Sequence, residues 1–438
     1  MGENADAQSD NATAIGNEAI ANGIDAIALG DTSVATGPST TAIGGETVAT
    51  GPGTTAIGWQ SQATAERAQA FGHLATAQGV RSLAVGENAD AQSDNATAIG
   101  NEAIANGIDA IALGDTSVAT GPSTTAIGGE TVATGPGTTA IGWQSQATAE
   151  RAQAFGHLAT AQGIRSLAVG ENADAQSDNA TAIGNEAIAN GIDAIALGDS
   201  AAATGPSTSA LGGESVATGP GATAVGWRAM ATAERAQAFG HLASASGVRA
   251  TAVGEGAVAS GERSLSFGNL ASAQGTNSVA IGDGAQATRD NQFTLGNASN
   301  TYTAPGITSA ESRAAQSGAV AIVTSDASGN LATSSVDLGA VLSMGETVTA
   351  NSGAIARNRS AIADNKEGIA MAMALDTPYV PADKQFAISG GIASFEGTEA
   401  MAVSMGFRIN PNTQLDAGVT YGFNREQVGG RIGVTYAW

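Results

Sequence analysis

The sequence predicts a mostly β protein completed by three chains. It has a parallel β-roll solenoid head of fourteen-residue repeats (1–296), a neck or connector (297–335), a short coiled-coil stalk (336–375) and a membrane-anchor segment (376–438), whose four strands per chain build a twelve-stranded trimeric outer-membrane β-barrel. Three observations predict this. A fourteen-residue period runs through the first two thirds, a seven-residue period takes over near residue 341, and a two-residue period fills the last 60 or so residues. Each period belongs to one kind of backbone.

In the head, Ala followed by a large apolar residue and Gly returns every fourteen residues, with Ile15, Leu29, Ile43, Ile57, Phe71, Val85 and Ile99 as its apolar members, continuing to Leu295. A second column, Ala21, Ala35, Ala49 and onward to Ala287, lies six residues on. In the unit 17–30, Ala19 and Ala21 alternate in one place and Ile27 and Leu29 in another, which reads as two short strands per turn. Gly23 and Gly30 are expected to close the corners in positive φ. Stacked turns spaced ~4.8 Å apart make a rod on the order of 100 Å long. The Ala column implies a narrow interior, in which one Ile or Leu per turn packs against Ala; such a coil buries little apolar area and is expected to stand beside other copies of itself. Ile20, Ile104 and Ile188 are the expected shared contact.

Composition agrees with an elongated body. Charged residues are 13% of the 438, aromatics 4%, and Gly occurs 60 times, which leaves little material for a large globular core. A formal charge of -23 argues against nucleic acid and anionic lipid as unaided partners. With no Cys, disulfides, thiolate metal sites and Cys nucleophiles are excluded. No apolar run reaches the ~20 residues of a membrane helix. Gly2 to Gly79 recurs as Gly86 to Gly163, and Met1 falls in the register of Val85 and Val169. The natural protein is therefore expected to continue upstream into further repeats and a secretion signal. The third six-turn block drifts after Asp199, so head length is expected to vary by tandem duplication.

After Gly296 the register stops. The neck is expected to hold a short helix over Ser309 to Gln316 and a hairpin pairing Ala319 to Thr324 with Leu331 to Thr333. Val341, Val348, Ile355, Ile362 and Ile369 then recur every seven residues, the seam of a coiled coil. Setting these at a places Met344, Asn351, Asn358, Asn365 and Ala372 at d. Buried amides need partners. In a parallel trimer, three Asn per layer at Asn351, Asn358 and Asn365 can donate to an axial anion such as chloride, or the layers can simply be hydrated.

The last segment alternates apolar with small or polar residues: Met401, Val403, Met405, Phe407 and Ile409; Leu415, Ala417, Val419, Tyr421 and Phe423; Ile432, Val434, Tyr436 and Trp438. A less regular strand spans Gln385 to Phe395, and turns fall at Gly397-Thr398, Asn410 to Asn412 and Asn424 to Glu426. Four strands of ~10 residues suit an outer-membrane barrel, but four cannot close one, and an open edge cannot sit in lipid. Three chains close it. Gly390, Gly391, Gly406, Gly418 and Gly433 are expected to face the lumen and leave room for three helices.

No catalytic constellation, metal site or cofactor motif is expected. His73, His157 and His241 share one register but lie six turns apart, about 29 Å. Glu66-Arg67 and its copies read as an interchain ion pair, and the Gly-Gly-x-Gly-x-Asp pattern of calcium rolls is missing. Trp59, Trp143 and Trp227 each follow the repeat Gly. They are either ligand-contact aromatics or rings lying in a groove between chains.

The order of parts resembles the YadA-like trimeric autotransporter adhesins. Ala12 to Gly16 and Ala26 to Gly30 carry the head phrases, Ile355 to Asn358 and Ile362 to Asn365 resemble the family's anion-holding layers, and the anchor ends in Trp438. The family's common neck phrase is absent. The resemblance implies a left-handed roll, a homotrimer, an anchor among outer-membrane lipids, and insertion aided by periplasmic chaperones and the barrel assembly machinery. It also implies a head displayed at the cell surface for attachment to host extracellular matrix, a cell-surface ligand or other surfaces. Two function classes follow. One is an adhesin whose repeated weak contacts sum by avidity, with autoagglutination and a barrel that exports its own passenger. The other is a non-adhesive spacer, or a surface whose Thr40-Thr41 and Thr54-Thr55 organise water or ice. An enzyme is not expected.

Overall fold

The computed structural model describes residues 2–318, 321–334 and 337–438. Met1, Ala319-Val320 and the neck–stalk boundary at 335–336, on which expectations were placed, lie outside the described residues. The chain divides into two compact units, one ending at Tyr302 and the other starting at Thr303.

The first unit is a parallel β-solenoid of two sheets, each of 21 strands. Two-residue strands such as Ile20–Ala21 alternate with three-residue strands such as Ile27–Leu29. Each pairs with the strand fourteen residues on, so that Ala21 meets Ala35 and Ala28 meets Ala42. Parity decides what fills the interior. The middle residue of a three-residue strand and the second of a two-residue strand point inward, so Ala14, Ala21, Ala28, Ala35 and Ala42 are buried. The structural unit is thus a seven-residue half-turn. A further inward position holds Ala19 and Ala26, or Ser33, Thr40, Thr47 and Thr54. The Thr40 and Thr54 hydroxyls donate to the Gly37 and Gly51 carbonyls at 2.7 and 2.8 Å, which satisfies them without water.

Two expectations change. The large apolar member of the repeat phrase does not pack against Ala inside the coil: Ile15 is 50% exposed, because it flanks the inward Ala14. Nor does Gly23 take positive φ. The left-handed corner position is two residues later, at Asp25 (φ 59), and recurs every seven residues at Asn4, Asn11, Glu18, Thr32 and Ser39. Asp25 is the third residue of a turn closed by Ala26 N–H donating to the Gly23 carbonyl at 3.1 Å. Gly23 is needed for a different reason: a Cβ there would lie 1.8 Å from the Gly37 oxygen of the next turn. Gly30 meets both constraints, with φ 142 and a Cβ that would lie 2.2 Å from the Gly44 oxygen.

The second unit opens with a 3-10 turn (Pro305–Thr308) and a short helix (Ala310–Ala315), capped by Ser309 Oγ accepting from Ser312 N–H at 3.0 Å. An antiparallel hairpin pairs Ile322–Ser325 with Leu331–Ser334. Its turn is organised by the Asp326 carboxylate, which accepts from Ser328 and Asn330 N–H at 2.9 Å each. A 37-residue helix follows (Leu338–Ala374). Four antiparallel strands then pair in chain order: Phe386–Phe395, Thr398–Asn410, Thr413–Gly422 and Val428–Tyr436.

One face of this sheet is small and buried, with Ala400, Ala402, Ser404 and Thr420; the other exposes Ile388, Val403, Val419, Ile432 and Val434. The C-terminal part of the helix lies on the small face. A Cβ on Gly391 would lie 2.2 Å from the Ala374 carbonyl oxygen, and one on Gly418 would lie 2.8 Å from Leu375. Gly406 is equally close to Pro378 and Val380 just beyond the helix. Gly433 shares this face but adjoins the Asp416 carboxylate instead. Gly390 points to the opposite face, since it alternates with Gly391, which corrects its expected lumen-facing role. Among the described residues, the first and last strands are unpaired along their outer edges.

Candidate functional site

The exposed corner of the solenoid carries a six-turn cycle of side chains: Asn17, Asp31, Gly45, Trp59, His73 and Glu87, repeated from Asn101 and again from Asn185. Residues fourteen apart stack because the ladder is in register, so neighbours in this column touch. The Trp59 and His73 rings are 5.0 Å apart at 28°, and His73 Nδ1 lies 3.3 Å from Glu87 Oε1. The same stack recurs at Trp143–His157 and Trp227–His241, also at 5.0 Å. The three Trp side chains are 48%, 48% and 43% exposed. The next column along begins each pair of neighbours differently: Gln60 and Gln144 donate to Glu46 and Glu130 at 2.6 and 2.7 Å, whereas Arg228 Nε donates to Glu214 at 2.7 Å.

Within one chain Glu66 and Arg67 lie 3.8 Å apart, with both side chains more than half exposed. Such a pair contributes little. Each His is likewise occupied by its own Trp and Glu, and the three remain separate.

The outer faces of the two sheets differ. On the three-residue strands, the column Ile15, Leu29, Ile43, Ile57, Phe71, Val85 has no polar member. On the two-residue strands, Ile20, Val34 and Val48 give way to Gln62, Thr76 and Asp90 before Ile104 resumes the cycle. Asp90 and Thr76 line a groove with Gln62, Gln92, Glu102 and Ile104. Burial there pushes the Asp90 carboxyl above the ordinary range, and hydrogen bonds from Asn106 and Gln92 pull it part of the way back; Asp174 repeats this with Asn190 and Gln176.

On the long helix, Asn351, Asn358 and Asn365 are exposed and lie along the seam marked by Val348, Ile355 and Ile362. The sequence reading missed Glu367. It is fully buried, and its Oε1 accepts from the N–H groups of Asn424 and Arg425 at 2.8 and 2.7 Å, tying the helix to the last hairpin turn. Arg425 returns the contact by donating to Asp364 at 2.7 Å. Heptad spacing gives no signal for this, because Glu367 lies off the seam, where solvent is expected.

A repetitive parallel solenoid in one unit and, in the other, a helix lying on a small-residue sheet with an apolar opposite face define a class: repeat proteins that carry a β membrane anchor. Comparison with known families makes this specific. The YadA head domain repeat matches in successive segments, some of them overlapping, from 1–19 to 273–291, and the YadA-like membrane anchor domain matches 378–438. The chain belongs to the YadA-like trimeric autotransporter adhesins. Among solved structures, the collagen-binding domain of the Yersinia adhesin YadA is similar at 21% identity, covering 45% of this chain and 72% of that one, with a TM-score of 0.15. No curated protein matches. Family membership implies a homotrimer, and the anchor implies an outer-membrane location with surface display.

Proposed function

We propose that the protein attaches its cell to host matrix, to other cells or to surfaces, and that the same contacts between cells cause autoagglutination. The observation that carries this reading is the six-turn cycle itself. Any contact made by Trp59 or Ile24 is offered again by Trp143 or Ile108, so weak contacts sum. In the water-ordering alternative only Thr41 and Thr55 can serve, because Thr40 and Thr54 spend their hydroxyls on internal carbonyls.

In this reading the parts divide at 1–296, 297–335, 336–375 and 376–438. Three heads meet through the apolar column at Ile15, Leu29 and Ile43, because the Ile20 column is interrupted by Gln, Thr and Asp. Three helices bring Asn351, Asn358 and Asn365 to one axis, where the amides hold chloride. Twelve strands close the barrel and pass the passenger outward, after insertion by periplasmic chaperones and the barrel assembly machinery. The test compares cells displaying the intact protein with cells displaying 297–438 alone, on matrix proteins and in sedimentation. Attachment and clumping by the first alone support the reading; equal behaviour of the two removes it.

A further inference from the structure

We propose that Trp59 and Trp143 are binding sites for arginine side chains of a basic partner polypeptide, and that the third copy of the site is closed by the chain's own Arg228. The three copies share a Gly-Glu pair on the turn before (Gly45-Glu46, Gly129-Glu130, Gly213-Glu214), the Trp, and a His on the turn after. They differ in the residue following Trp: Gln60, Gln144 and Arg228.

In the third copy the Arg228 guanidinium carbon lies 4.5 Å from the Trp227 ring centroid, while Nε donates to Glu214 Oε2 at 2.7 Å. A guanidinium gains from the negative face of an indole and from a carboxylate at the same time. Glu214 lies on the turn before Trp227 and His241 on the turn after, with the His241 ring stacked 5.0 Å from the indole. The chain thus contains a worked example of what this site accepts.

In the first two copies Gln60 and Gln144 reach the same Glu, at 2.6 and 2.7 Å, with a neutral and shorter side chain. Among the described residues a guanidinium lies over Trp227 alone, and Trp59 and Trp143 are each 48% exposed against 43% for Trp227. Gly45 and Gly129 help keep the approach open, since a Cβ there would stand 3.0 and 3.1 Å from the indole Cδ1. A basic partner also suits the chain's formal charge of -23. The two open sites are six turns apart, about 29 Å, which an extended peptide spans in about nine residues. One basic segment can therefore occupy both.

The importance of this contact for attachment rests on the adhesin reading; the chemistry of the site does not. The test titrates the full-length trimer in detergent with a twelve-arginine peptide, with a twelve-citrulline peptide as control, reading Trp fluorescence and calorimetric affinity. W59A/W143A, which leaves the charge unchanged, is expected to weaken binding about tenfold, and W227A to leave it unchanged. Q60R/Q144R is expected to close both sites, and R228Q to open a third. Equal effects of all Trp variants, no effect of any, tight citrulline binding, or Trp59 and Trp143 shielded from acrylamide in the trimer would each overturn the proposal. A Trp-dependent preference for an uncharged glycan polymer would do the same. Peptide binding without cell attachment removes the adhesin reading and leaves this site standing; attachment without Trp dependence does the reverse.

Discussion

Two adjacent glycines give a demanding test of the stacked-turn geometry. Gly128 has φ 130, and a Cβ there would lie 2.5 Å from the Gly142 oxygen of the next turn. That oxygen cannot retreat freely, because it accepts from Ser145 N–H and Oγ at 3.4 and 3.2 Å. Gly142 N–H in turn donates to the Ile127 carbonyl at 2.9 Å. Gly128→Ala therefore combines backbone strain of ~1–3 kcal/mol with overpacking of ~1–3 kcal/mol. About 4 kcal/mol in total raises the local opening constant by a factor of about 1,000. At Gly129, φ is ordinary, and the added methyl would crowd only the half-exposed Trp143 indole, at 3.1 Å from Cδ1, with no backbone atom of the next turn in the way. Gly129→Ala should cost less than about 1 kcal/mol. Amide hydrogen exchange on the full-length protein reads both at the Gly128 and Gly142 N–H groups. Equal exchange in the two variants, or wild-type protection in Gly128→Ala, would refute the geometry.

Other outcomes follow from single residues. Asp90→Asn and Asp174→Asn should raise the melting temperature at neutral pH. Their carboxyls titrate above the ordinary range in the folded state, so wild-type stability falls as pH rises through that range and is flat above it. The gain from Asn should vanish at pH values below the ordinary carboxylate range, and a gain that grows on acidification contradicts the assignment. Glu367→Ala leaves two turn N–H groups without their acceptor and should lower the temperature at which the detergent-solubilised trimer dissociates on a gel, at a cost of ~2–4 kcal/mol per chain. Thr116→Asn should stabilise the head by up to ~1 kcal/mol in chemical denaturation, because Thr116 is β-branched at φ 50, where Asn88 already sits at φ 54.

Much of the fold was legible because period maps directly onto backbone geometry. The fourteen-residue spacing marks one turn, and the Ala columns at Ala14 and Ala21 mark its interior. Alternation alone could not say which parity faces inward, so Ile15 and Leu29 read as interior, whereas the structure turns the Ala residues spaced by seven inward. Left-handed corners were hidden because Glu18, Thr32, Arg67 and Leu74 occupy them, residues whose identity does not announce positive φ. Cooperative stacking of identical turns holds them there. Gly390 was misassigned because Gly390 and Gly391 are adjacent and only one can face the helix. The Trp59–His73 stack did leave a signal, their separation of one repeat, but the role of Arg228 required seeing a side chain cross between columns.

The central claim is that one chain supplies a third of a finished molecule: an apolar stripe along the head, a seam along the helix and two open sheet edges in the anchor. The mass of the full-length protein extracted in detergent, measured by sedimentation with the detergent contribution matched out, tests this most directly. Three chains per particle, with loss of the membrane-inserted state whenever they separate, is the predicted result. A single chain that stays intact and inserted would contradict it.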